Sequence, residues 1–254
     1  AVLVNGELHA GDPYRMGWMN IPIKLKKGLN EFFVRGMVIA AELAFPQKKV
    51  YMHYGDATLP DIVLGKNQAD LIAGLVVVNH TAEPLRNFTV SSTINNRTAE
   101  RAVPTIPPHS IRKIAVPLDG SEVKATGTVS AHIALKENDT AIDEGTIMLR
   151  SVTPTTPYKV TFISAIDGSV QYYAVNPAST GEKPGDALFF SVHGAGVEAI
   201  GQARAYQSKD WGTLVAPTNR RPRGFNWEDW GRLDALEVLA MAKETLNPDT
   251  QRIY

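Results

Sequence analysis

The stretch FFSVHGAG, from Phe189 to Gly196, holds the residues best placed to do chemistry. An apolar run ends at His193-Gly194-Ala195-Gly196. Glycines in such a loop let the chain turn sharply and let a ligand approach the backbone closely. Backbone N–H groups that open a helix stabilise an anion or a developing oxyanion. The plainer reading is a strand-to-helix turn in which glycine supplies a positive φ, and the tetrapeptide alone leaves both readings open. A nucleophile is what the loop lacks. No Gly-x-Ser-x-Gly elbow occurs in the chain, and no phosphate-loop lysine lies nearby. Ser179 precedes Thr180-Gly181 but has Pro177 where the first glycine belongs, and Ser169 follows Gly168 in a turn.

Other residue types narrow the chemistry further. There is no cysteine, which excludes disulfides, thiolate metal sites and cysteine catalysis. His193 reads as a loop-shaping residue, and His9, His53, His80, His109 and His132 have no spaced acid partners, so no metal site and no cofactor are expected. Lys+Arg and Asp+Glu number 26 each, a balance that gives nucleic-acid binding no support. No apolar run approaches the roughly 20 residues of a membrane span. The basic run NRRPR, Asn219 to Arg223, reads first as a solvated loop. In a second reading NRRPRGFNWEDW lines a substrate cleft, because loops at the C-terminal ends of strands carry sites. Its candidate rim residues are Arg220, Arg221, Trp227 and Asp229.

Three segments must position these residues. Residues 1–58 read as the C-terminal piece of a β domain, with a turn at Asn5-Gly6. A hairpin is expected there, running through Ile21, Ile23 and Leu25, turning at Lys27-Gly28 and resuming at Glu31–Val34. A chain that opens inside a strand is expected to be cut from something longer. The segment GDATLPDIVLGKNQ, Gly55 to Gln68, has linker composition. Residues 59–153 carry short β runs separated by turns and predict a small antiparallel β-sandwich. Residues 154–254 change pattern. A hairpin turning at Asp167-Gly168 precedes a buried strand over 186–193, a helix after Val197, a second buried strand over 211–217 and a helix over 227–246. In that last helix Asn226 is the expected N-cap, Glu228 and Asp229 fill the first turn, and Trp230, Leu233, Leu236 and Ala240 form the apolar stripe. QRIY begins a further strand. Alternating strands and helices of this length predict a parallel α/β sheet.

About the last hundred residues resemble the N-terminal part of a prolyl oligopeptidase-type α/β-hydrolase domain. The residues that carry the likeness are FISAIDGSVQYYAVNPA, LFFSVHGAGVEAIGQARAY, KDWGTLVAPTNRRPRGFNWEDWGRLDALEVL and QRIY. Residues Ile21 to Asn30 resemble, over a short stretch, the closing hairpin of a galactose-binding-like jelly roll. The resemblance implies β modules followed by α/β, the latter an incomplete α/β-hydrolase sheet. It implies a secreted or envelope serine hydrolase, peptidase or esterase, without a cofactor, acting on a peptide or ester carbonyl. His193, Gly194, Ala195 and Gly196 would form the oxyanion-hole loop, the Ala195 or Gly194 N–H joining the N–H after the serine. Nucleophile, acid and histidine would all lie beyond Tyr254, leaving this chain inactive. The other class of reading is a non-catalytic module of an exported protein whose β parts bind carbohydrate or a protein.

Overall fold

Asn5 and Gly6 take φ of +51° and +86° and close the tight turn that their sequence predicts. This computed structural model describes residues 2–9, 17, 20–36, 41–220 and 226–254. Across the turn β1 (Val2–Val4) pairs antiparallel with β2 (Glu7–His9), and on its other side with β3 (Phe32–Val34). Residues 20–30 form no strand, so the expected hairpin through Ile21 and Leu25 is absent. The Asn30 side chain explains this. It accepts the Lys26 N–H and donates to the Lys26 carbonyl, which folds the segment into a loop.

Eight strands follow: β4 (Val50–Thr58), β5 (Asp61–Val63), β6 (Leu71–Asn79), β7 (Phe88–Ile94), β8 (Arg97–Ala102), β9 (Ser110–Leu118), β10 (Gly127–Glu137) and β11 (Thr140–Val152). They form one sheet in the order β4-β6-β9 and another in the order β5-β11-β10-β7-β8. The two share a core in which Leu75, Val77 and Val116 meet Val90, Ile133 and Leu135, all fully buried. Alternate residues of β9, namely Ile114, Val116 and Leu118, point into it, as the period of a strand requires. β5 lies parallel to β11, so the sheet is not wholly antiparallel. The segment read as a linker therefore ends in a buried strand. Asp61 fixes it, accepting two bonds from Arg150 and the Lys159 N–H.

The remaining elements are β12 (Tyr158–Ile163), β13 (Val170–Asn176), β14 (Ala187–Phe190), α1 (Ala199–Ala205), β15 (Gly212–Pro217) and α2 (Trp230–Leu246). The sheet order is β12-β13-β15-β14. β14 runs parallel to β15, the other pairs are antiparallel, and Ile253 adds a parallel bridge to Leu188. Tyr172, Ala174, Leu214 and Ala216 face α1, whereas Tyr173, Val175 and Val215 share a cluster with Val238 and Ala242 of α2.

The expectation of a small antiparallel sandwich followed by an α/β-hydrolase sheet is corrected by this architecture. The described residues are mostly β, in several small sheets, with two helices of 7 and 17 residues. The run of alternating strands and helices that defines an α/β-hydrolase sheet is not shown. Most of the Val-, Ile- and Thr-rich runs satisfy their backbones in antiparallel neighbours.

α2 departs from its sequence pattern in an instructive way. It starts at Trp230, and Asp229, not Asn226, is its N-cap, with φ +44° and no capping bond from the side chain. The stripe expected to face the core faces water: Trp230, Leu233 and Leu236 are 56%, 38% and 52% exposed. Gly231, Asp234, Val238 and Ala242 are buried instead. Gly231 is the reason. A Cβ there would stand 1.9 Å from Asn219 Oδ1 and 2.9 Å from the Asn226 carbonyl. Only glycine lets the turn after β15 lie directly on the helix, and that contact fixes the helix's rotation.

Candidate functional site

β14 ends at Phe190, and the Ser191 N–H still bonds to the Val215 carbonyl at 2.9 Å. The chain then leaves the sheet through His193–Gly196. Gly196 adopts φ +75°, and space is open where a Cβ at 194 or 196 would stand. The Gly194 carbonyl lies 3.0 Å from His193 Nδ1 and accepts the Val197 N–H at 3.3 Å. Gly194, Ala195 and Gly196 are exposed, and among the described residues their N–H groups meet no backbone acceptor. Burial and the Glu198 charge suppress the acidity of the Tyr172 hydroxyl, on the face of the sheet that meets α1.

His193 is 3% exposed. Trp227 Nε1 donates to its carbonyl at 2.9 Å, and the two rings meet edge to face with centroids 5.0 Å apart. Its Nε2 has no hydrogen-bond partner among the described residues. No serine of the described residues bonds to an imidazole, and no group of three His, Asp or Glu among them can hold a metal.

The four rim candidates separate. Arg221 lies outside the described residues. Trp227 is half-buried against His193, and Asp229 is exposed at the helix start. Arg220 points inward, its side chain 9% exposed. Its Nη1 donates to Ser164 Oγ at 2.8 Å, and its Nη2 lies 2.5 Å from Asp167 Oδ2. Asp234 and Glu237 of α2 stand 3.8 and 3.9 Å from Nη1, and the Trp230 ring lies 5.7 Å from the guanidinium carbon. Ser164 and Asp167 belong to the turn between β12 and β13.

Asp234, Glu237, Ser164 and Asn219 were not singled out by sequence. Asp234 carried a signal. With Gly231, Val238 and Ala242 it makes a second stripe at helical spacing, and an acid on such a stripe is worth notice. Asp234 Oδ2 accepts the Asn219 N–H at 2.9 Å, whereas Oδ1 has no hydrogen-bond partner among the described residues. Burial pushes its carboxyl from 3.8 up to about 6, against the pull of Arg220 and the Asn219 N–H. Orphaned buried polar atoms are uncommon in folded proteins. Three such atoms, His193 Nε2, Thr218 Oγ1 and Asp234 Oδ1, lie at one end of this sheet without partners among the described residues.

A second polar cluster joins the sheets. Lys66 Nζ reaches Tyr158 Oη at 2.6 Å and Glu182 Oε2 at 2.5 Å, and Tyr158 donates to Glu182 Oε1 at 2.6 Å. Burial and the neighbouring carboxylate drive the Tyr158 hydroxyl far above its usual range, so it stays a donor. This network bolts the loop after β5 to β12.

No protein-family model matches the chain, and no curated protein sequence matches it. A solved structure described as a thermostable esterase is similar over 82% of this chain and 69% of its own, with 13% identity and a TM-score of 0.32. At that score the likeness to an esterase is distant, and neither fold nor activity follows from it. No described helix is long and apolar enough to cross a membrane.

Proposed function

We propose that this chain carries the oxyanion-binding loop of a serine hydrolase, a peptidase or esterase, whose nucleophile, acid and base are supplied by residues outside the sequence. One observation carries the reading: three exposed N–H groups, at Gly194, Ala195 and Gly196, have no backbone acceptor among the described residues, on a loop anchored by Trp227. Donors held in place before the reaction stabilise a tetrahedral oxyanion without reorganising. His193 serves the loop through its packing, not as a base.

The chain alone then lacks turnover and takes no fluorophosphonate label. The longer protein takes the label at one serine outside residues 1–254. In it Gly196→Val, which forces a branched side chain into φ +75°, lowers kcat by about 10²–10³ with the fold intact. Stoichiometric labelling of a serine within the chain, or full activity in Gly196→Val, would overturn the proposal.

A protein-binding module is the second reading, and the water-facing apolar stripe Trp230, Leu233 and Leu236 favours it. A longer protein with no fluorophosphonate-reactive serine, which binds a partner through that stripe, would decide for it.

A further inference from the structure

We propose that the buried cluster of Arg220, Asp167, Asp234, Glu237 and Ser164 is a proton-operated latch, which sets how firmly the turn after β15 is held against α2 and, through it, the position of the His193 loop. The inference does not depend on the loop's being an oxyanion hole.

Charge counting comes first. Among the described residues one guanidinium faces three carboxylates, so these groups are short of positive charge when all are ionised. The hydrogen bonds show which acid takes up a proton. Glu237 is fully served: Oε2 accepts from Ser164 Oγ and Oε1 from the Ala165 N–H, both at 2.6 Å. Asp167 accepts the Ser169 N–H and hydroxyl and lies against Arg220 Nη2. Among the described residues Asp234 has one bond, from the Asn219 N–H, and no partner for its other oxygen, in a site with no solvent exposure. The groups that face it are Arg220 and Asn219 from the turn after β15, Asp167 beyond Arg220 from the β12–β13 turn, and Glu237 from its own helix. Burial and the Glu237 charge both favour a neutral Asp234, and its carboxyl is accordingly raised to about 6.

The direction of the switch follows by linkage. The closed cluster binds the Asp234 proton more tightly than any state in which that carboxyl reaches water. Protonation therefore favours Asn219 and Arg220 held against α2, and this hold weakens as pH rises from about 4 through about 6. The loosening has a physical route to the loop. Asp234 holds the Asn219 N–H, the Asn219 side chain donates to the Asn226 carbonyl, and the adjoining Trp227 donates to the His193 carbonyl.

Two tryptophans report on the two ends of this route. Trp230 lies over Arg220 and Trp227 against His193. In the chain labelled with 5-fluorotryptophan, with resonances assigned by Trp→Phe substitutions, both are expected to shift together between pH 5 and 7.5, with a midpoint of about 6. Asp234→Asn, a neutral stand-in for the protonated acid, abolishes the shift. Arg220→Gln removes the cation and moves the midpoint up by about one unit. His193→Gln leaves the Trp230 titration in place. A Trp230 resonance that stays still, or titrates unchanged in Asp234→Asn, overturns the latch. So does a titration governed by His193. A Trp227 resonance that stays still while Trp230 moves overturns the link to the loop. Should Asp234→Asn fail to fold, Arg220→Gln decides: a midpoint that does not rise refutes the proposal.

Discussion

Between β4 and β11 the two sheets share an apolar core. Leu75, Val77, Ile133 and Leu135 meet there at full burial. Where β15 ends the interior is charged. Arg220 and three acids share the space, and among the described residues His193 Nε2, Thr218 Oγ1 and Asp234 Oδ1 go without hydrogen-bond partners. The first arrangement resists change, because any lost methylene leaves a hole. The second tolerates a change of state, because its charges do not balance and a proton alters which contacts are best. Stability and responsiveness are thus assigned to different ends of one chain.

Truncating the aliphatic core is expected to have the largest effect. Leu75→Ala removes a fully buried side chain where two sheets meet. It should cost about 2–5 kcal/mol in urea unfolding monitored by circular dichroism. A cost below about 1 kcal/mol would mean that the two sheets do not share a packed core.

The charged end should respond differently, and with a definite sign. Asp234 is raised in the folded state from 3.8 to about 6. Between those values the folded chain holds more proton than the unfolded one, so this group's contribution to stability falls as pH rises from about 4 to 6 and is constant above. Asp119 and Asp167, held below their usual values by hydrogen bonds and arginines, act in the opposite sense. The difference between Asp234→Asn and the wild type isolates the effect. The variant should gain relative stability across that window, up to about 3 kcal/mol at pH 7 for a two-unit shift. A difference independent of pH would mean that Asp234 titrates normally and that the two ends do not differ as described.

How much of this was legible in the sequence depends on how local the determinants were. The Asn5-Gly6 turn, the strands around Phe189 and Val215, their parallel pairing and the loop between them follow from short-range pattern. The strand at Asp61 was hidden because its partner, Arg150, is 89 residues away. The cluster was hidden for the same reason: Ser164, Asp167, Arg220 and Asp234 meet only through the fold. The fold class failed for a different reason. Helical periodicity is scored one segment at a time, whereas an α/β class needs the alternation to continue, and two helices do not sustain it. His193–Gly196 was visible as a glycine loop, yet its anchor, Trp227, depends on a contact across 34 residues.

The smallest effect is expected where pattern and structure disagree most openly. Trp230, Leu233 and Leu236 make the more apolar stripe of α2, and by hydrophobicity alone they belong inside. Close approach won instead: Gly231 admits the Asn219 turn, and the face that carries Gly231 was drawn inward with Asp234 and Val238. Leu236 is consequently 52% exposed. Leu236→Lys should then change stability by no more than about 0.5 kcal/mol, since lysine is as good a helix former and its stem can lie along the same surface. Val238→Lys, one turn of logic away on the buried face, should unfold the helix from the sheet. Urea melts of the two variants provide the comparison. If Leu236→Lys were as damaging as Val238→Lys, the helix would be rotated relative to this description. Asp234 would then not face Arg220, and the contrast between an aliphatic and a charged interior would fail at its charged end.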